Sequence, residues 1–166
     1  MFFVRSATQA DLATVSGLLG RAWHATYDGI YGPDKVKAIT ADWHNIDALK
    51  AQLARPDSEF VVADDAKRIG GMGYAVMDRS LHKTAQLVQL YVDPECQGQG
   101  IGRDLFAELE TCFPDAETMR LEVAPENARA IAFYKGLGFA QVGRTENCGA
   151  AGSGLPALIL EKTLAF

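Results

Sequence analysis

A surplus of positive charge is missing from this sequence: 16 lysines and arginines stand against 21 aspartates and glutamates, a net charge of −5. That balance argues against nucleic acid as a partner and is compatible with a cationic substrate. Also missing is any apolar run of the roughly 18 residues that a membrane-spanning helix needs, so no membrane partner is expected. Cysteine is scarce. Cys96, Cys112 and Cys148 are odd in number and show neither CxxC nor zinc-ligand spacing, which fits a reduced compartment best. His24, His44 and His82 lack ligand spacing too, so no metal is expected. The opening MFFVRSATQADL turns polar too soon for a secretory leader, and a cytoplasmic location is the expectation. No repeat, linker or low-complexity tract interrupts the chain.

What is present is an ordinary globular composition, 48% hydrophobic and 22% charged over 166 residues, which fits one domain spanning 1–166. Phe2 to Arg5 reads as a strand, and Thr8 to Asp11 as a capping box opening a helix. Leu12, Val15, Leu18, Leu19 and Ala22 mark one face of that helix, which is expected to run to about Thr26 and to be broken by Gly29 and Gly32-Pro33. A second helix starts at Pro33, a favoured first position, and a third spans Asn45 to Ala54. Strands follow at Glu59 to Ala63, Arg68 to Met77 and Thr84 to Val92. Three glycines in the second of these suggest bulges or close backbone approach. After a further helix come a strand at Thr118 to Val123, a helix at Asn127 to Leu137, and strands at Phe139 to Thr145 and Leu158 to Leu164. The glycine-rich Glu146 to Leu155 is expected to be mobile. Helices and strands interleave, so the class is α+β with a largely antiparallel sheet.

The chain is organised around Gln86 to Glu110, a strand, a glycine-rich turn and a helix. Asp93-Pro94 ends the strand. Gln97-Gly98-Gln99-Gly100-Ile101-Gly102 then leads into a helix with apolar residues at Ile101, Leu105, Phe106 and Leu109. Glycines at a helix start let main-chain N–H groups approach an anion that the helix dipole favours. Three phosphate cradles compete. A Walker loop is excluded because no Gly-Lys-Ser/Thr occurs. A dinucleotide fingerprint is rejected because Arg103 stands where the third glycine belongs and Asp93 to Gln97 separate the strand from the turn. The third template is Gln97-x-x-Gly100-x-Gly102. Leu90-Tyr91-Val92-Asp93-Pro94 precedes it. Leu121-Glu122-Val123, Asn127, Ala130, Phe133-Tyr134 and Gly138-Phe139 follow it.

In order and spacing, these residues resemble the two central motifs of the GNAT superfamily of N-acetyltransferases, over roughly residues 86 to 140. The resemblance implies a central, mostly antiparallel sheet of about seven strands with a splayed parallel pair and helices on both faces. It implies acetyl-CoA as cosubstrate. Gln97, Gly98, Gln99, Gly100, Ile101, Gly102 and Arg103 would wrap its pyrophosphate. The main chain of Leu90, Tyr91 and Val92 would pair with the pantetheine arm like a further strand, and Asn127 would hydrogen-bond that arm. Arg129 is a further candidate for the nucleotide phosphates, or a solvated helix charge.

Acetyl transfer to an amine needs the amine neutral, and a lysine-like amine is so only about once in 2,500 at pH 7. A base within reach is therefore valuable. Glu122 lies between Leu121 and Val123, with its side chain opposite theirs. By itself it reads as a solvated carboxylate or as that base. The resemblance to members that acetylate the N-terminal alanine of ribosomal proteins implies the base role: they carry the same Leu-Glu-Val, its glutamate the proposed base twelve residues before a tyrosine, the separation of Glu122 and Tyr134 here. Tyr134 reads as a core aromatic or as the acid that protonates a departing thiolate. Asn127 is also well suited to cap its helix. Trp23, His24, Tyr27, Tyr31, Trp43 and His44 crowd the early helices, either as core or as an amine-binding wall. Cys96 receives no catalytic role. The expectation is an acetyl-CoA-dependent N-acetyltransferase acting on a primary amine by direct attack in a ternary complex. The acceptor is a small-molecule amine or a protein N-terminal or lysine amine, and relatives often form homodimers. The alternative is a non-catalytic acyl-CoA-binding sensor.

Overall fold

The computed structural model describes residues 1–149 and 152–164; residues 150 and 151 of the expected glycine-rich loop lie outside the described residues. Seven strands hydrogen-bond in the order β1-β2-β3-β4-β5-β7-β6: Phe3–Ser6, Ser58–Asp64, Ile69–Asp78, Thr84–Val92, Thr118–Val123, Ala157–Thr163 and Ala140–Thr145. Among the described residues five α-helices accompany them: α1 Leu12–Tyr31, α2 Pro33–Trp43, α3 Ile46–Ala54, α4 Ile101–Glu110 and α5 Ala128–Gly136. The expected mixed class holds, with one parallel pair, β4 with β5. Among the described residues no helix is long and apolar enough to cross a membrane.

The chain divides into two compact units, Met1–Ala75 with Gln89–Cys112, and Val76–Val88 with Phe113–Phe166. In the first, strand alternation sends neighbouring residues to opposite faces. Phe60, Val62, Met72 and Tyr74 join Leu12, Val15, Leu18, Leu19 and Leu49 in one buried cluster, so α1 and α3 cover that face. Gly71 and Gly73 face the other way, against Ile101, Leu105 and Leu109 of α4. The strand glycines thus serve close approach, one of the two expectations for them.

Helix α1 does not stop at Gly29. Trp23 and Tyr27 are buried and carry the apolar stripe more than one turn past Ala22, and that burial outweighs the roughly 1 kcal/mol that an interior glycine costs. The helix ends at Gly32, whose φ of +88° only glycine adopts freely. Pro33 then starts α2 as its first residue. The capping box forms as expected, with Thr8 N–H donating to Asp11 Oδ2 at 2.8 Å. Asp11 also pairs with Arg5 on β1 at 2.8 Å.

In the second unit β5 is the central strand. The β4–β5 ladder runs only from Thr84↔Thr118 to Gln86↔Arg120, although β5 continues to Val123. On its other side β5 pairs with β7 along its whole length, and Arg120 bonds the directly opposed Glu161 at 3.0 Å. Strand β6 forms the edge beyond β7 and shifts register between Gln141 and Gly143.

Candidate active site

Of the cofactor-side candidates, Leu90 to Val92 and Gln97 to Arg103 lie in the first unit, whereas Asn127 and Arg129 lie in the second. After β4, Asp93 caps a 3-10 turn at Pro94–Cys96 by accepting the Glu95 N–H at 3.0 Å. Gly98 and Gly100 follow, with φ of +79° and +80°. Gly100 is the residue from which α4 starts. Nothing lies within 4 Å of where a Cβ would stand on either glycine. Gln97 to Gly100 and Arg103 are exposed, whereas Ile101 is buried and anchors the helix. The result is an exposed, left-handed main-chain arc at the positive end of a ten-residue helix. A glycine-rich main-chain arc at a helix start is the kind of element that can offer backbone N–H donors to an anion.

Leu90, Tyr91 and Val92 are half-buried on the last residues of β4. The Val92 carbonyl accepts Gln97 Nε2 at 3.3 Å, so the loop side chain folds back on the strand end. Asp93 is 1% exposed. Burial alone would raise its carboxyl. The hydrogen bond from Arg21, the Glu95 N–H and the charges of Arg21 and Arg68 outweigh this and hold it below the usual carboxylate range. Arg21 Nη2 lies 2.7 Å and Arg68 Nη2 3.4 Å from Asp93 Oδ2. Asp93-Pro94 was legible as a strand stop, but Arg21 and Arg68, 72 and 25 residues from Asp93, left no local signal. Cys96 is a buried thiol whose pKa burial pushes up.

The crowded aromatics also belong to this unit. Trp23, Tyr27 and His44 are buried, as expected of core, while His24, Tyr31 and Trp43 are partly exposed. Trp23 meets Tyr27, Trp43, His44 and Tyr91 at ring-centroid distances of 4.4, 6.0, 5.6 and 6.5 Å. Burial lowers the His44 pKa to about 4, so the ring is neutral at pH 7.

Acid–base candidates lie in the second unit. Glu122 is exposed on β5 between buried Leu121 and Val123, as alternation requires. Its Oε2 accepts the Gly149 N–H at 3.1 Å. Burial, the charge of Glu122 and a hydrogen bond to it push the Cys148 thiol up to about 12, so that thiol stays protonated beside the carboxylate. Sequence reading missed this contact, because Glu122 and Gly149 stand 27 positions apart with no pattern that pairs them. Asn127 Oδ1 accepts the Ala130 N–H at 3.2 Å and caps α5. Tyr134 is half-buried, with Phe133 and Phe139 at 5.4 and 5.7 Å. Arg129 is exposed on α5. No residue of α5 is fully buried.

The model of the acetyltransferase (GNAT) family matches residues 21–139. The chain is 38% identical over 102 residues to an N-alpha-acetyltransferase RimI of Mycobacterium tuberculosis, covering 58% of this chain and 61% of that protein. It is 40% identical over 57 residues to a peptidyl-lysine N-acetyltransferase YjaB of Salmonella typhimurium, covering 34% of this chain and 37% of that one. The chain thus spans less than two thirds of either relative. To a spermidine N(1)-acetyltransferase of Thermoplasma acidophilum it is 24% identical over 143 residues, covering 82% and 86%. Among solved structures, the PaiA N-acetyltransferase of Thermoplasma acidophilum in complex with coenzyme A superposes with a TM-score of 0.84 at 24% identity, covering 98% and 99% of the two chains.

Proposed function

The chain belongs to the acetyltransferase (GNAT) family, whose cosubstrate is acetyl-CoA, and we propose that it transfers acetyl to a primary amine by direct attack in a ternary complex. One observation supports this reading: Gly98 and Gly100 are exposed and take a left-handed backbone, with nothing within 4 Å of where a Cβ would stand, just before α4. Gln97 to Arg103 would hold the diphosphate there, with the main chain of Leu90 to Val92 and the side chain of Asn127 on the pantetheine arm. Bound acetyl-CoA supplies the activated acetyl thioester. Glu122 takes the proton of the amine, directly or through water, as its nitrogen forms the new bond to carbon. Tyr134 donates its phenolic proton to the sulfur as the carbon–sulfur bond breaks. Gly149 N–H and Cys148 bear on Glu122 and orient its carboxylate.

The acceptor belongs to the range that the relatives' names span, a polyamine or a protein N-terminal or lysine amine. The test is thiol release from acetyl-CoA across a panel of polyamines, lysine peptides and peptides with free N-termini. Turnover on at least one amine is expected. CoA binding with no turnover on any would favour the sensor reading instead, and failure to bind CoA would sink both.

A further inference from the structure

We propose that Arg21 and Arg68 are positioning residues for the cofactor loop: through the buried carboxylate of Asp93 they tie α1 and the β2–β3 hairpin to the turn from which that loop springs. The inference rests on reading Gln97 to Arg103 as the acetyl-CoA cradle.

Asp93 is fixed at four points. Its N–H donates to the Gly70 carbonyl at 2.8 Å, and its own carbonyl accepts the Cys96 N–H at 2.8 Å. Oδ1 accepts the Glu95 N–H at 3.0 Å. Oδ2 receives both guanidinium groups, Arg21 at 2.7 Å and Arg68 at 3.4 Å. Arg68 also reaches Glu95 at 3.2 Å, inside the same turn. The turn ends at Gln97, the first residue of the cradle.

The asymmetry of exposure marks this as more than a surface ion pair. The carboxylate is 1% exposed, whereas the two arginine side chains are 55% and 42% exposed. Two solvated cations reach inward to one desolvated anion. A buried ion pair is weak evidence for stability, because an apolar replacement often serves as well. What this one supplies is a direction: charge-assisted hydrogen bonds hold Asp93, and with it the loop's point of departure, to two separate elements. Strand β4 is tied to α1 a second time, where the Tyr91 ring, two residues before Asp93, meets Trp23. An anion cradle made of main chain works only if its N–H groups already point the right way, and these ties act on the residue that sets that direction.

The test uses the full chain with Arg21→Met, Arg21→Lys, Arg68→Met and Asp93→Asn, with calorimetric titration of CoA and steady-state kinetics in acetyl-CoA. Arg21→Met keeps the aliphatic stem and removes the charge. It should weaken CoA binding about 10-fold or more and raise KM for acetyl-CoA alike, while kcat at saturation falls by less than about threefold. Arg21→Lys should recover most of the affinity. Asp93→Asn keeps an oxygen for the Glu95 cap and should behave like Arg21→Met. Arg68→Met should act in the same direction more weakly, as its longer distance implies. A folded Arg21→Met protein with wild-type affinity, or one that loses kcat rather than KM, would overturn the proposal. If Arg21→Met does not fold, wild-type affinity in both Arg21→Lys and Arg68→Met overturns it instead, while a graded loss supports it. Wild-type protein that binds no CoA would sink the reading of the loop and this inference together. Wild-type binding with indifferent variants would sink this inference alone.

Discussion

Replacing Gly71 by alanine tests how α4, and the cradle at its start, is seated on β3. A Cβ at position 71 would stand 2.8 Å from Ile101 Cγ2, 3.0 Å from Leu105 Cδ1 and 3.0 Å from the Tyr91 carbonyl oxygen. Carbon contacts are most favourable at about 3.5–4.0 Å. Three neighbours are therefore too close at once, and one of them is backbone. Ile101 is β-branched and stiff in a helix, so it has little room to turn away. Overpacking of this kind costs about 1–3 kcal/mol. Part is offset by about 0.4–1 kcal/mol, because alanine restricts the unfolded chain more than glycine does. A net loss of about 1–2 kcal/mol follows, which lowers the melting temperature by about 2–8 °C. Urea denaturation would read the loss directly. Gly20→Ala is the control: nothing lies within 4 Å of its Cβ in the middle of α1, and it should stabilise by up to about 1 kcal/mol. Gly73→Ala should cost less than Gly71→Ala, since its one contact under 3.0 Å is Leu109 Cδ1, the end of a flexible side chain. Because Ile101 is the first residue of α4, Gly71→Ala should also weaken CoA binding. A Gly71→Ala protein within about 0.5 kcal/mol of wild type would refute the close-approach account.

Tyr134→Phe should lower kcat by about 10- to 1,000-fold and leave CoA affinity nearly unchanged; intact turnover would remove Tyr134 from proton transfer. Glu122→Gln should flatten the acidic limb of the pH–rate profile, and an unchanged limb would point to another base. His44 carries a pH signature in stability. Its folded pKa of about 4 lies below the unfolded value of 6.5, so the unfolded chain binds the extra proton between those values. Stability should be full above pH 6.5, fall by about 3 kcal/mol towards pH 4 and level off below. His44→Phe should remove that dependence, and a wild-type slope in the variant would refute it.

Local chemistry was legible without coordinates. The strand at Thr84 to Val92, the strand at Thr118 to Val123, the capping box at Thr8, proline at the start of α2 and Asn127 at the start of α5 all follow from alternation, turn residues and capping, which act over a few positions. The glycine turn before α4 belongs with them, since a left-handed backbone before a helix is itself a local requirement. Tertiary structure decided the rest. Helix α1 runs through Gly29 because buried Trp23 and Tyr27 hold it there, a packing term that glycine's propensity does not contain. Three strand glycines could have meant bulges; contact with α4 made two of them, Gly71 and Gly73, seats for a helix. The order β5-β7-β6, the contact of Gly149 with Glu122 and the convergence of Arg21 and Arg68 on Asp93 join residues far apart in the chain. Such pairings leave no period to read. They are selected only when burial removes the competing water and each charge or strand edge must find a partner that the fold has brought within reach.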